Sequence, residues 1–308
     1  MKLKGILYGC ISSGTYGLIP LFALPIMNKG IAFDSVLFYR FSCATVALAV
    51  LMLFRKVSFR IGQNEILPLI TLGILFALSA LCLFRSYNFM PAGIAATILF
   101  SYPIFVTLIM AVFFHEKISL IIITAITLAF TGIYLLYGGD TQGPLYTTGI
   151  VLVLLSALSY AVYLVIINSS TVSHMSGIKI TFYAMTVSSL FFLLKTTSYN
   201  NLQILPDTDS IVNIILLALI PTIISCVTMV YSVHYIGSTA TAVLGAMEPL
   251  TAVCVGIFVF GEPFSISLAI GMTLIILAVI LIIVSHTLSK YLKEFQHFIR
   301  TEIAGKKP

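Results

Sequence analysis

PAGIAATILFSYPIFVTLIMAVFFHEKIS, residues 91–119, lies without a gap over GSTATAVLGAMEPLTAVCVGIFVFGEPFS, residues 237–265. Pro103 falls on Pro249, Phe114 on Phe260, Glu116 on Glu262 and Ser119 on Ser265, and Tyr102 stands over Glu248. The agreement continues upstream. Gly5 falls on Gly149, Ser12 on Ser156 and Tyr16 on Tyr160, then Phe38 and Tyr39 on Phe182 and Tyr183. Single matches mean little in sequence this apolar, but a shared order and spacing across the chain marks an internal repeat, which constrains mechanism as well as fold.

The medium in which the repeat folds follows from composition. Of 308 residues, 60% are hydrophobic and 8% charged, against roughly 25% charged in a soluble domain. Lipid is the solvent for most of the chain. A spanning helix needs about 20 mostly apolar residues, and runs of that kind fall at 5–27, 35–54, 66–88, 92–114, 118–137, 148–168, 178–195, 211–235, 238–260 and 265–286. These predict an all-α membrane protein of ten transmembrane helices. Five helices per copy is an odd number, so the second copy enters the membrane from the opposite side. The expected organisation is a first five-helix repeat at 1–139, an inverted second repeat at 140–286, and a cytoplasmic tail at 287–308 that reads as an amphipathic, surface-lying helix.

Orientation is set by basic residues in short loops. With the N-terminus inside, 12 of the 16 Lys and Arg residues face the cytoplasm; Lys29 and Lys195 lie outside, and Arg40 and Arg85 lie within helices. Both termini are therefore expected in the cytoplasm. The net charge of +6 is scattered over loops and termini, which argues against nucleic acid as a partner. The stretch after Lys2 and Lys4 is too long for a signal peptide and reads as a retained first helix. Cys10, Cys43, Cys82, Cys226 and Cys254 all sit in apolar runs as small buried side chains, with neither a disulfide framework nor metal spacing.

Ionisable groups inside a membrane are expensive and point to function. Glu248 lies ten residues into helix nine, about 15 Å deep at 1.5 Å per residue. Pro249 cannot donate to the carbonyl of Gly245, so a free acceptor is expected beside the carboxyl group. The competing role is a protonated structural glutamate bonded to a neighbouring helix. Arg40 is about 9 Å deep from the outer face and is equally suited to an interior role or to snorkelling; Arg85, near the outer end of helix three, is better suited to snorkelling. Arg40 and Glu248 would pair only if their helices face. Tyr16, Tyr102 and Tyr160 fall near mid-helix, away from the interfaces that tyrosine favours, and are expected to line a cavity. Tyr39, Tyr183, Asn88 and His234 are weaker candidates near helix ends. Pro103 and Pro249 are expected to make matching kinks facing the cavity. Glu116 and Glu262 stand at helix ends, where fixing the following tight turn is the expected job.

The run Ala95–Ser119, with a mid-helix proline and Glu116 before a short turn, and its echo Ala240–Ser265 ending in Gly261-Glu262-Pro263, resemble the helix-four signature of the EamA-type drug/metabolite transporters. The resemblance spans about residues 5–286. It implies a ten-helix fold with a central cavity lined by helices one to four and six to nine. It also implies movement of small metabolites, frequently amino acids, often outward. Inverted repeats suit such a role, because two near-equivalent packings of the halves expose a midplane site to either side.

The expected function is thus secondary transport by alternating access, with Glu248 as the group through which protons would couple. The expected setting is the plasma membrane, the inner membrane of a bacterium. An acid, one or two arginines and several tyrosines suit a zwitterion, although amphipathic drugs and sugars would also fit. No cofactor or metal is called for, and oligomeric state is left open, with a monomer sufficient. An intramembrane enzyme is the alternative class, but no aspartate lies within a span and no HExxH or GxSxG motif is present. A channel is the other, without any filter-like segment. A reporter fused after Lys293 should read as cytoplasmic and one inserted near Asp207 as external; the reverse pair of results would overturn the orientation and leave the repeat standing.

Overall fold

The computed structural model describes residues 2–89, 95, 98–115, 120–137, 147–198 and 202–260, with separate positions between 266 and 281. The described residues are helical almost throughout. The helices are α1 Lys2–Tyr16, α2 Ile19–Asn28, α3 Phe33–Phe54, α4 Gln63–Ser86, α5 Tyr102–Phe114, α6 Leu120–Tyr137, α7 Thr147–Ser169 and α8 Gly177–Ser198. They continue with α9 Thr208–Ala218, a π-helical turn at Leu219–Ile224, α10 Ser225–Ile236, α11 Ser238–Leu244 and α12 Met247–Phe260. Six stretches are long and apolar enough to cross a membrane: Leu3–Asn28, Phe33–Phe54, Gln63–Ser86, Thr147–Ser169, Gly177–Ser198 and Thr208–Ile236. Shorter apolar helices follow at Tyr102–Phe114, Leu120–Gly132 and Ala269–Ala278. The tail 287–308, Glu116 and Glu262 lie outside the described residues.

Several runs that read as single helices are broken in the structure. The first, 5–27, divides at Gly17 and Leu18 into α1 and α2, with Pro20 opening α2 where its missing N–H costs nothing. The fourth has a turn at Phe100 and Ser101 before α5. The ninth turns at Gly245 and Ala246, between α11 and α12. The eighth keeps its direction but widens into the π-helical turn around Pro221. Breaks of this kind inside hydrocarbon are tolerated where the freed backbone groups find partners within the protein.

Three helix pairings dominate the packing: α1 against α10, α4 against α7, and α3 against α8. Serines at the first two let the backbones approach, as small residues do in membrane bundles. Ser225 Oγ donates to the Ser12 carbonyl at 2.9 Å and Ser156 Oγ to the Ser79 carbonyl at 2.7 Å. The hydroxyls also meet, at 3.4 Å for Ser12 and Ser225 and 3.0 Å for Ser79 and Ser156.

Both ends of the bundle are tied across the chain. At one end the Tyr39 hydroxyl donates to the Gln203 carbonyl at 3.0 Å, and the Gln203 N–H to Ser35 Oγ at 3.1 Å. Ion pairs join Lys29 to Asp207 and Lys195 to Asp34, each at 2.6 Å. At the other end the Tyr183 hydroxyl donates to the Phe59 carbonyl, Lys179 Nζ to the Arg60 carbonyl, and Thr171 Oγ1 to the Asn64 carbonyl at 3.0 Å. Tyr183 lies 144 positions after Tyr39, and Gln203 lies 144 positions after Phe59. The two tyrosine ties are therefore one contact made twice, with the roles of the two halves of the sequence exchanged.

The Lys29–Asp207 contact has a defined pH response. Hydrogen bonds from Lys29 and then from Ser210 hold the Asp207 carboxyl at about 2, below its ordinary value. A depressed acid contributes fully above its unfolded value of 3.8 and loses its contribution as pH falls through about 2. Fluorescent probes flanking this contact should report no change between about pH 8 and about pH 4, and loosening in about 1 M salt, where screening is strong. Opening at mildly acid pH would contradict the assignment.

Candidate functional site

The helix breaks converge on one place. Glu248 opens α12 directly after the Gly245–Ala246 turn, and Tyr102 opens α5 directly after the Phe100–Ser101 turn. Two glycines make the approach possible. A Cβ on Gly17 would stand 2.4 Å from the Glu248 carbonyl oxygen, and one on Gly245 would stand 1.5 Å from the Tyr102 hydroxyl. Only the missing side chains let the α1–α2 break reach the Glu248 backbone and let Tyr102 reach across α11.

Around Glu248 lie two small cavities. One offers about 10 Å³ and is walled by Ser12, Ser13, Tyr16, Tyr102, Tyr160, Thr241 and Glu248, with Leu164 and Met229. The other offers about 20 Å³, beside Tyr16, Gly17, Tyr87, Leu99 and Glu248. Each has about the space that one water needs. The polar walls of the first come from α1, α5, α7, α11 and α12, so both halves of the chain contribute. The tyrosines form a continuous cluster. Tyr16 stacks on Tyr160 with centroids 6.1 Å apart, Tyr102 meets Tyr160 edge-on at 4.9 Å, and Tyr160 stacks on Tyr163 at 6.0 Å. Tyr16 and Tyr160 are the pair that the repeat aligns.

Arg40 is buried, with 0% of its surface exposed. The local sequence explains its partner. Pro221 has no N–H for the carbonyl of Leu217, four residues earlier, and the helix widens there. Thr222 Oγ1 donates to that carbonyl at 2.7 Å and accepts from Arg40 Nε at 2.7 Å. The guanidinium also lies 5.3 Å from the ring centre of Phe41 and 5.9 Å from that of Tyr16. Among the described residues, Nη1 and Nη2 of Arg40 and the hydroxyl of Tyr163 have no hydrogen-bond partner. A buried cation left in that condition costs several kcal/mol.

The structure thus gathers Tyr16, Tyr102, Tyr160 and Glu248 around one cavity and buries Arg40 against Tyr16. It does not pair Arg40 with Glu248: each borders Tyr16, and no ion pair joins them among the described residues. Arg85 stands apart from these groups. It is exposed at the end of α4 and lines neither cavity, because the last turn of that helix turns it outward. The carbonyl of Gly245 is not free either. The Glu248 N–H takes it at 2.9 Å in the tight turn that precedes Pro249. Pro103 and Pro249 each sit in the first turn of a helix just after a break, both buried. Neither lines the two cavities, although their neighbours Tyr102 and Glu248 do.

Tyr39 and Tyr183 serve the end ties instead, and His234 Nε2 is buried without a partner. Among the described residues no three His, Cys, Asp or Glu side chains are grouped to hold a metal ion, and all five cysteines are free thiols. Sequence reasoning missed Thr222 and Tyr163. Pro221 inside an apolar run followed by a hydroxyl residue was the available signal for the first.

A bundle with six membrane-length helices, closed over a polar cavity that holds an acid, is a multi-pass membrane protein. The chain belongs to the EamA-like transporter family, whose model matches residues 3–138 and again residues 147–284. It is 28% identical over 189 residues to a protein of Archaeoglobus fulgidus named "Uncharacterized transporter", covering 61% of this chain and 66% of that one. A second protein of that name and organism is 24% identical over 249 residues, covering 79% of this chain and 86% of its own length. "Uncharacterized transporter sll1319" of Synechocystis sp. is 30% identical over 196 residues, covering 60% of this chain and 57% of the relative. A solved structure titled "Crystal structure of protein" shares the fold with a TM-score of 0.77 at 16% identity, covering 90% of this chain and 97% of that one.

The fit between Gly245 and Tyr102 makes a measurable pair. Gly245→Ala should destabilise the purified protein by about 1–3 kcal/mol, as overpacking does. The same change in a Tyr102→Ala background should cost clearly less in thermal unfolding, what remains being the 2.7 Å approach of the new Cβ to the Ala242 carbonyl oxygen. Additive losses would mean that the two positions do not meet.

Proposed function

We propose that the chain is a secondary transporter of small metabolites such as amino acids, working by alternating access around the Glu248 cavity. Its ten helices form two five-helix halves of opposite orientation, residues 1–139 and 140–286, with both termini in the cytoplasm and export as the favoured direction. The observation that carries this reading is the reciprocal tie at the two ends. Tyr39 reaches from the first half to the second at one end, and Tyr183 reaches from the second half to the first at the other. Two halves related in this way have two equivalent ways to open. Serine contacts also join the two halves twice, at Ser12–Ser225 and Ser79–Ser156, with the second half donating in both.

With both ends tied and water-sized cavities at the centre, the conformation reads as an occluded one between the two openings. Glu248 is the group placed to respond to substrate. Gain and loss of a cationic partner in a site shielded from water moves a proton on and off a carboxyl group, and so links transport to a proton gradient.

Reconstituted vesicles loaded with amino acids should show counterflow, with each compound recovered unchanged; an enzyme would alter it, and a channel would dissipate the gradient without exchange. Glu248→Gln keeps the shape and removes the titration. That variant should still exchange substrate while losing its response to a pH gradient. Wild-type-like accumulation driven by pH in the variant would sink proton coupling through Glu248, and loss of all binding would assign the carboxylate to direct substrate recognition.

A further inference from the structure

We propose that the two terminal nitrogens of Arg40 form a carboxylate-binding subsite, making anionic and zwitterionic metabolites the substrates that the cavity selects. This deepens the transporter reading and rests on it. A guanidinium binds a planar carboxylate through two parallel N–H bonds. Here Nε is committed to Thr222, and Thr222 is itself anchored on the Leu217 carbonyl that Pro221 leaves free. That contact fixes the guanidinium against the Tyr16 and Phe41 rings while leaving Nη1 and Nη2 without a hydrogen-bond partner in a fully buried place.

A structural arginine in lipid ordinarily finds an acid or a set of carbonyls. The ion pairs among the described residues lie elsewhere, at Lys29–Asp207 and Lys195–Asp34. The missing anion can therefore arrive with the substrate. Arg40 lines neither cavity itself; Tyr16 is the neighbour that it shares with the Glu248 cavity, and movement of that ring is the step the proposal requires to bring a ligand to both. A zwitterion bound there would place its carboxylate on Arg40 and its ammonium toward Glu248. The hydroxyl of Tyr163, also buried without a partner, belongs to the same ring cluster through Phe41 and Phe76, with centroids 5.8 Å apart from Phe41 to Phe76 and 5.3 Å from Phe76 to Tyr163.

The test uses the full chain in vesicles loaded with leucine, phenylalanine and threonine together with their amides and their decarboxylated amines, efflux being followed by mass spectrometry. Wild type should move the acids at least about tenfold faster than the amides or amines, the scale of a lost hydrogen bond to a charge. Arg40→Gln should abolish that preference, and Arg40→Lys should keep it with a raised KM. Thr222→Val keeps the charge and removes the anchor, so it supplies the test if Arg40→Gln does not fold; it should raise KM for the acids with kcat little changed.

Flux without preference for the acids, or preference retained in Arg40→Gln, overturns this inference alone. Wild-type vesicles that move none of the compounds contradict the amino-acid transporter reading and the subsite with it. A preference seen in zwitterionic lipid that disappears with phosphatidylglycerol would assign the guanidinium to a lipid phosphate and overturn the substrate role.

Discussion

A backbone carbonyl or N–H in hydrocarbon must find its partner inside the protein, and that constraint decides where this fold can depart from straight helices. Each departure is repaired locally. Thr222 takes the carbonyl that Pro221 abandons, and the Glu248 N–H takes the carbonyl of Gly245 before Pro249. The Gly17 N–H still reaches the Ser13 carbonyl at 3.0 Å before the chain turns into α2. Because repairs of this kind need side chains and neighbouring backbone at short range, the breaks gather at the bundle centre. The polar groups gather with them.

The consequence is a site made of exceptions to helical regularity. Glu248 and Tyr102 each occupy the first turn of a helix that begins in mid-bundle, and Arg40 is held by the widened turn of the eighth run. Glycine at 17 and 245 supplies the close approach that side chains would prevent. Around these groups the packing is ordinary for a membrane bundle, with serines and glycines where helices approach and large apolar side chains such as Phe41, Phe76 and Phe100 filling the core between them. The cation and the acid remain separate, each beside Tyr16.

Much of this was legible in the sequence because duplication wrote it twice. Tyr16 over Tyr160 and Tyr102 over Glu248 named four groups that meet at one cavity, and composition alone fixed an all-helical membrane protein. Hydropathy could not reveal the breaks, because Gly17–Leu18 and Gly245–Ala246 are as apolar as the helices they interrupt. The rule that proline frees a carbonyl was sound, yet its outcome differed at two places: a hydroxyl side chain collected the carbonyl at Leu217, while at Gly245 the preceding N–H did. Arg85 illustrates a further limit. Depth along a helix can be counted from sequence, but the face that a side chain occupies depends on the neighbours, and Arg85 faces outward where Arg40 faces in.

The proposed mechanism stands on the reciprocity of the two ends, so their relative motion is its most direct test. Pulsed electron resonance would give distances between spin labels at Asn28 and Thr208, and in a second sample at Gln63 and Thr171, all exposed positions at opposite ends of the bundle. In nanodiscs, with a transported solute added and then removed, the account predicts that one distance lengthens as the other shortens. Ends that widen together, or that stay fixed while the protein is transporting, would contradict it.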